Sequence, residues 1–379
     1  DELLERARKG LRLSRNDEVL LTESISGWVE LEYEVMRDAG DSCIIICNME
    51  NIDPMGIHTG ESTVVTPSQV IPDDGHQEMR DAALEVIRDL GIQGGCNIQF
   101  AWRDDGTPGG EYRVVEVNPR VSRSSALASK ATGYPIARVT AKVALGKRLH
   151  EIENEITGET TAAFEPAIDY VVTKVPRWPK DKFPDTDFEL GTAMKSTGEA
   201  MAIGRTFEES LLKALRSSEY DPDVDWAAVS DEELEAEYLE RPIPDRPYAM
   251  FEAFERGYDA EAVADLTDIE NWYVERYRNV AEGVEAAQEG NFAAAAEKGF
   301  TNQQVAAMAE TDAGGATSAT AGTVADGNTV ADVEASAPER SFKQVDTCAG
   351  EFAASTPYYY SARSALETDF GGRDELQVD

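Results

Sequence analysis

Positive charge is what this chain has least of for its size. Its 379 residues carry 35 Lys and Arg against 73 Asp and Glu, a net charge of −38. The acids run the whole length rather than gathering in a tail. That distribution fits a soluble protein adapted to high salt, where self-repulsion is screened. It argues against a nucleic-acid partner and against an anionic membrane surface. No apolar run is long enough to span a bilayer, and no signal peptide is visible. The three histidines stand far apart, which argues against a zinc centre. The four cysteines, Cys43, Cys47, Cys96 and Cys348, show neither CxxC nor disulfide-framework spacing and read as reduced, mostly buried thiols of a cytoplasmic protein. Also missing are GxxxxGK[ST], a GxGxxG after a strand, and any Ser–His–acid spacing.

What is present centres on Glu116-Val117-Asn118-Pro119-Arg120-Val121-Ser122-Arg123-Ser124-Ser125. The alternation from Tyr112 to Val117 predicts a strand. Glu116 and Asn118 then share one face, with Val115 and Val117 on the other. Pro119 cannot donate to a ladder and ends the strand. A carboxylate and an amide oxygen suit a hard cation such as Mg²⁺, and the arginines that follow suit phosphate or carboxylate oxyanions. A strand end carrying both is what phosphoryl transfer requires. The opposing reading is a solvated, charged turn. Cys96–Arg103 predicts the neighbouring strand, reversed through the Gly/Pro-rich turn 104–110, with Asn97 and Gln99 on one face. If those two share the sheet face of Glu116 and Asn118, four oxygen-bearing side chains converge. An ordinary core sheet does not leave that many unpaired, and the functional reading gains from it.

Elsewhere the chain alternates helix and strand signals. Asp1–Gly10 reads as a charged helix capped by Gly10, and Glu18–Glu23 as a short strand. Trp28–Met36 and Ser42–Met49 predict a hairpin. Glu30, Glu32 and Glu34 share a face of its first strand, which reads mainly as a solvent face. His58 lies in a loop of small and oxygen-bearing residues, 51–61, and reads more readily as a loop-satisfying residue than as a phosphate contact. Gln77–Leu90 predicts a helix with Met79, Ala83, Val86, Ile87 and Leu90 as its core stripe. Helices follow over Ser124–Thr132, ended by Gly133, and from Pro135 to Leu145. Tyr170–Val175 and Ala200–Ile203 read as strands, and Thr206 with Glu209 as a capping box. From 218 strand signals vanish, and Ser230/Glu233 and Thr267/Glu270 predict further capping boxes. Residues 313–338, rich in Ala, Thr, Gly, Ser and Asp, read as a flexible insert. Order returns at 342–360, where the tyrosine run Tyr358–Tyr360 reads as packing. The chain opens without Met inside a helix and stops without a domain end, so a segment of a longer polypeptide is expected.

The stretch Glu116–Gly133 resembles the large subunit of carbamoyl phosphate synthetases, as do Met55–Gly60, Phe164–Tyr170, Met194–Glu199 and Val345–Ala349. The resemblance covers nearly all of the chain except the insert. It implies an α+β fold: the later portion of an ATP-grasp domain, an antiparallel sheet with helices, followed by an all-helical oligomerisation domain. The implied layout is a carboxyphosphate-forming domain over 1–217, a helical domain over 218–341, and the start of a second synthetase half over 342–379. It further implies a haloarchaeal source and an enzyme that uses two ATP, bicarbonate and ammonia released from glutamine by a small amidotransferase subunit. The product serves arginine and pyrimidine synthesis. Self-association through the helical domain is implied as well.

Residue by residue, the resemblance puts Gln99, Glu116 and Asn118 on Mg²⁺ or Mn²⁺, two ions per site. It puts Asn51 and Asp53, with Glu30 and Glu116, on a monovalent cation, K⁺. Glu23 and Ile25 match the family's adenine-side segment, and Glu30, Gly56, Ile57 and His58 its nucleotide contacts. Asn97, Arg120 and Arg123 match residues placed by the bicarbonate or carboxyphosphate. The family's glycine-rich phosphate loop and two nucleotide-binding arginines would lie before residue 1, so full turnover is not expected of this stretch alone. Two alternatives stay open: another ATP-grasp carboxylase such as a biotin carboxylase, and a non-catalytic helical assembly module.

Overall fold

A computed structural model describes residues 2–310, 327–338, 340–348, 351–352, 354, 356, 358–363 and 375–377. Its centre is a seven-stranded sheet in the order β5-β4-β1-β2-β3-β6-β7, every adjacent pair antiparallel. The strands are β1 (Val29–Arg37), β2 (Cys43–Asn51), β3 (Val64–Thr66), β4 (Gly94–Arg103), β5 (Glu111–Asn118), β6 (Val171–Arg177) and β7 (Gly198–Gly204). The two expected hairpins form, β1 with β2 and β4 with β5. Helix α1 (Glu2–Leu13) precedes the sheet, and α2 (Asp73–Asp89) covers one face of it. Met79, Ala83 and Ile87 of α2 bury against Leu31, Tyr33, Ile98 and Phe100. Helices α3 (Arg123–Thr132) and α4 (Ile136–Ala144) cover the other face. There Leu127, Ile136, Val139 and Val143 meet Met36, Ile46 and Met49. Both faces of β1 are therefore dry, and every residue from Val29 to Met36 is buried.

Helix α5 (Phe207–Ser218) follows the sheet, and the rest of the chain is helical through 310. The helical run comprises α6 (Asp231–Glu233), which continues as a π-helical turn over Leu234–Leu239, then α7 (Arg246–Glu255), α8 (Ala260–Thr267), α9 (Asn271–Gln288), α10 (Phe292–Glu297) and α11 (Asn302–Glu310). These helices share a core with the sheet: Ile52, Val65 and Val175 pack in the same cluster as Phe251, Tyr273, Tyr277 and Phe300. The chain then forms α12 (Gly327–Ser336), β8 (Ser341–Gln344), β9 (Tyr359–Ala362) and β10 (Glu375–Gln377), with the strands in the order β10-β8-β9.

Several expectations are corrected. Residues 18–23 form no strand: Leu20 and Leu21 are exposed, and the segment joins no ladder. Helix α1 runs through Gly10, which is a contact point rather than a cap, since a Cβ there would lie 2.9 Å from Val19 Cγ1. Leu90 is exposed just beyond α2. Thr267 ends α8, its hydroxyl donating to Val263 O and accepting from Ile269 N, so it caps nothing in α9. Within the expected flexible insert, residues 327–336 are helix α12, packed on α11, while 311–326 lie outside the described residues. Of the tyrosine run only Tyr360 is buried.

One ion pair ties the sheet to the helices. Arg246 at the start of α7 donates to Asp53 beside β2, and both side chains are nearly inaccessible. Asp53 also accepts from Ser62 Oγ at 2.8 Å. Removing one member of a buried pair strands the other charge in a dry site. Arg246→Met is expected to cost about 3–5 kcal/mol, read by urea unfolding at fixed KCl. A loss below about 1 kcal/mol, the size of an exposed pair, would show that the pairing is solvated.

Candidate active site

The strand registers assemble the site. Across β1, β4 and β5, Glu32 faces Gln99, which faces Glu116; one rung on, Glu34 faces Asn97, which faces Asn118. These six side chains share one sheet face, because directly opposed residues project the same way. The four-way convergence predicted for Asn97, Gln99, Glu116 and Asn118 is present, and all four line one cleft of about 260 Å³. A β-bulge between Gln99 and Phe100 makes it possible: Phe100 pairs with Val114, leaving Val115 as the extra residue. Val114 and Val115 are consequently both exposed, and the simple alternation expected for this strand breaks there.

The remaining walls come from two loops and strand β6. Past Pro119 the chain carries Arg120 and Arg123 to the cleft. Ser122 caps α3, accepting from Ser125 N, while Ser125 Oγ accepts from Ser122 N at 3.0 Å. Ser125 Oγ also donates to Glu34 Oε2 at 2.8 Å, which pins the helix start to β1. Arg120 reaches Asn118 Oδ1 at 3.2 Å, and Arg123 reaches Met194 Sδ and, at 3.9 Å, Glu199. Residues 58–60 form the second wall. Thr59 Oγ1 donates to Glu30 Oε1 at 2.8 Å and accepts from Asn51 Nδ2. His58 Nδ1 accepts from Gly60 N at 2.9 Å. Lys174 on β6 closes the floor, its Nζ donating to Thr59 O at 3.0 Å and Ser62 O at 2.7 Å.

The electrostatics of the cleft are those of acids held in a dry place. The solvent-face reading of Glu30, Glu32 and Glu34 is overturned: they are 5%, 0% and 0% exposed, because β1 lies between two covered strands. Burial, reinforced by the charge of Glu32, pushes the Glu30 carboxyl up to about 7. Burial pushes Glu34 up to about 8, against the hydrogen bond from Ser125. Lys174 is brought down to about 8 by burial, with Glu199 and Glu32 opposing. Asn97 Nδ2 donates to both Glu32 Oε2 (2.7 Å) and Glu34 Oε1 (3.0 Å). That leaves Glu32 Oε1, Asn97 Oδ1 and, nearby, Asn51 Oδ1 buried without a partner. Unpaired acceptors and few donors are what a hard cation satisfies. The donors mix amides with carboxylates; among the described residues no three His, Cys, Asp or Glu cluster to hold an ion by themselves.

The other expected site residues fall less neatly. Ile57 is buried in the wall loop, and Gly56 takes φ +119° there. Asn51 joins the site through Thr59, whereas Asp53 is turned to Arg246 and Ser62 and does not line the cleft. Glu23 and Ile25 also lie outside it; Glu23 is exposed and pairs with Arg113 at 3.5 Å. Lys174 and Glu199 escaped the sequence reading. A lone lysine within Val171-Val172-Thr173-Lys174-Val175 was the available signal.

Comparison with known proteins decides the family. The model for the ATP binding domain of the carbamoyl-phosphate synthase L chain matches residues 1–152. That for the oligomerisation domain of the carbamoyl-phosphate synthetase large chain matches residues 199–320. The carbamoyl phosphate synthase large chain of Halobacterium salinarum is 78% identical over 97% of this chain and 34% of its own length. This chain belongs to the carbamoyl phosphate synthase large-chain family. The large chain of Methanosarcina mazei is 50% identical over the whole of this chain and 34% of its own. The separate N-terminal section of the Methanopyrus kandleri large chain is 47% identical over 95% and 65%. The chain thus spans about a third of the length of the full large chains it matches. Among solved structures, the biotin carboxylase domain of Hydrogenobacter thermophilus 2-oxoglutarate carboxylase is 12% identical with a TM-score of 0.45, over 71% of this chain and 61% of that one. The architecture is α+β, an antiparallel sheet with covering helices, matched through residue 152 by the ATP binding domain, followed by helices.

Glu34 supplies a test of the buried acids. Folded, it holds its proton up to about 8, against an ordinary value of 4.5. Between those values the unfolded chain binds fewer protons than the folded one, so stability falls as pH rises and levels off above about 8. Glu34→Gln is expected to flatten that fall and to be at least as stable as the parent at pH 8. Denaturant titrations from pH 5 to 9 in high salt measure it, and an unchanged slope would show that Glu34 is not the group responsible.

Proposed function

We propose that this chain carries the bicarbonate-phosphorylating site of a carbamoyl phosphate synthase. In the full protein, ATP would activate bicarbonate to carboxyphosphate and ammonia would yield carbamate. A second ATP, used in a homologous half, would give carbamoyl phosphate. The observation that carries the reading is the paired rungs Glu32–Gln99–Glu116 and Glu34–Asn97–Asn118 opening beside Arg120 and Arg123. Oxygen donors beside guanidinium groups match a cation-bound nucleotide facing a small anion.

Gln99, Glu116 and Asn118 would hold Mg²⁺ or Mn²⁺, and such ions supply charge neutralisation between phosphate oxygens. Arg120 and Arg123 would bind bicarbonate and then its phosphorylated form; each guanidinium keeps donors that its contacts to Asn118 and Glu199 do not use. Asn97, its amide anchored on two glutamates, would present Oδ1 to the site and fix the rung geometry. Lys174 would hold the carbonyls of the 59–62 loop and with them Thr59. Gly56, Ile57 and His58 would line the nucleotide side, with Glu23 and Ile25 on the adenine side. A K⁺ ion would sit near Glu30 and Asn51, whose free Oδ1 suits it; the carboxylate of Asp53 is committed to Arg246. Partners on this reading are a small glutamine amidotransferase subunit and further large chains, joined through the helical region, in the cytoplasm.

In the full-length protein, Glu116→Gln is expected to lower bicarbonate-dependent ATP hydrolysis by at least about 10²-fold, and chelation of divalent cations to abolish it. Coupled ADP release measures both. ATPase activity untouched by Glu116→Gln removes the site assignment.

A further inference from the structure

A second cluster of charge lies away from the cleft, where the last strands meet the sheet. The β8–β9 register pairs Ser341 with Ala362 and Phe342 with Ser361. Just past the end of this ladder stand Arg340 and Arg363, close enough for their charges to act on each other. Like charges so placed repel. Two more cations join from α5. Lys213 Nζ donates to Ser361 O on β9 and to Ile203 O at 3.0 Å. Arg216 lies three residues on, on the same helix face, where its Nη1 reaches Gly299 O and Gln304 Oε1, both at 3.2 Å.

Among the described residues, two carboxylates face these four cations. Glu209 pairs with Lys213 at 2.9 Å, and Glu334 of α12 lies near Arg363. Among these described groups, four cations less two carboxylates leave two positive charges, in a protein that is otherwise strongly acidic. Arg363 Nε and Nη1 are moreover buried with no hydrogen-bond partner. A guanidinium with two dry, unused donors beside another guanidinium lacks an acceptor. Burial and the neighbouring charge of Arg340 bring Arg216 down to about 10, in keeping with a crowd of cations. The long-range repulsion of the acidic surface does not keep an anion away, since about 1 M salt cuts the screening length to roughly 3 Å.

We infer that Lys213, Arg216, Arg340 and Arg363 form a binding site for a small divalent oxyanion of the phosphate type, at the junction of α5, the β8–β9 ribbon and α12. Bound there, the oxyanion would accept from Arg363 Nε and Nη1 and relieve the Arg340–Arg363 repulsion. The site is separate from the cleft and does not depend on the activity assigned to it.

Inorganic phosphate tests this directly. Its binding is measured by equilibrium dialysis with labelled phosphate, and its effect on Tm by thermal scans, against sulfate and chloride at matched K⁺ and ionic strength. Saturable phosphate binding and a Tm rise of roughly 3 °C beyond the chloride control are expected. Arg363→Gln is expected to weaken phosphate at least about tenfold while leaving Tm in chloride unchanged or higher. Arg340→Gln, at an exposed position, gives the same readout should Arg363→Gln not fold. Three outcomes overturn the inference: no saturable binding, a chloride effect equal to that of phosphate, or parental phosphate affinity in both variants.

Discussion

The register between β4 and β5 is the constraint on which the rest depends. It sets Gln99 against Glu116 and Asn97 against Asn118, and through β1 it extends each pair to a buried glutamate. A slip of β5 by one residue would send Glu116 and Asn118 to the opposite face, among Ile98, Phe100 and Tyr33, and part them from Gln99 and Asn97. The bulge after Gln99 holds the register at the functional end while Trp102 pairs with Tyr112 at the other. Pro119 then ends the ladder, and the turn beyond it brings two arginines back over the rungs.

Burying Glu30, Glu32 and Glu34 is unfavourable unless each is hydrogen-bonded or neutral. The fold supplies part of what they need: Ser125 and Asn97 serve Glu34, Thr59 serves Glu30, and Asn97 serves Glu32. It leaves Glu32 Oε1 and Asn97 Oδ1 unserved. An unserved acceptor in a packed sheet is unfavourable, and a bound cation would satisfy it. The same arrangement joins the arginine turn to the strand, since Ser125 both closes the cap of α3 and donates to Glu34.

The helical region is continuous with the sheet rather than tethered to it. Ile52, Val65 and Val175 enter the same core as the aromatic residues of α7 and α9, and Arg246 reaches across to Asp53. The loop between Asp53 and Ser62, which carries His58 and Thr59 to the cleft, is therefore held at one end by the helices and at the other by Lys174. Packing of the helices and geometry of the cleft are coupled through that loop.

The two-residue period read over Cys96–Arg103 and Tyr112–Asn118, with a turn between them, determined by itself that Asn97, Gln99, Glu116 and Asn118 could share a face, because side chains alternate along a strand. The helices of the second half and the caps at Gly133 and Ser230 were equally legible, since those signals are local. Which face of β1 is wet was not legible. Alternating glutamates describe a solvent face only if nothing covers them, and the flanking strands and α3 come from distant parts of the chain. For the same reason Lys174, the commitment of Asp53 to Arg246, and the meeting of Arg340 with Arg363 were decided by tertiary structure alone: each joins residues whose separation in sequence carries no information about their separation in space.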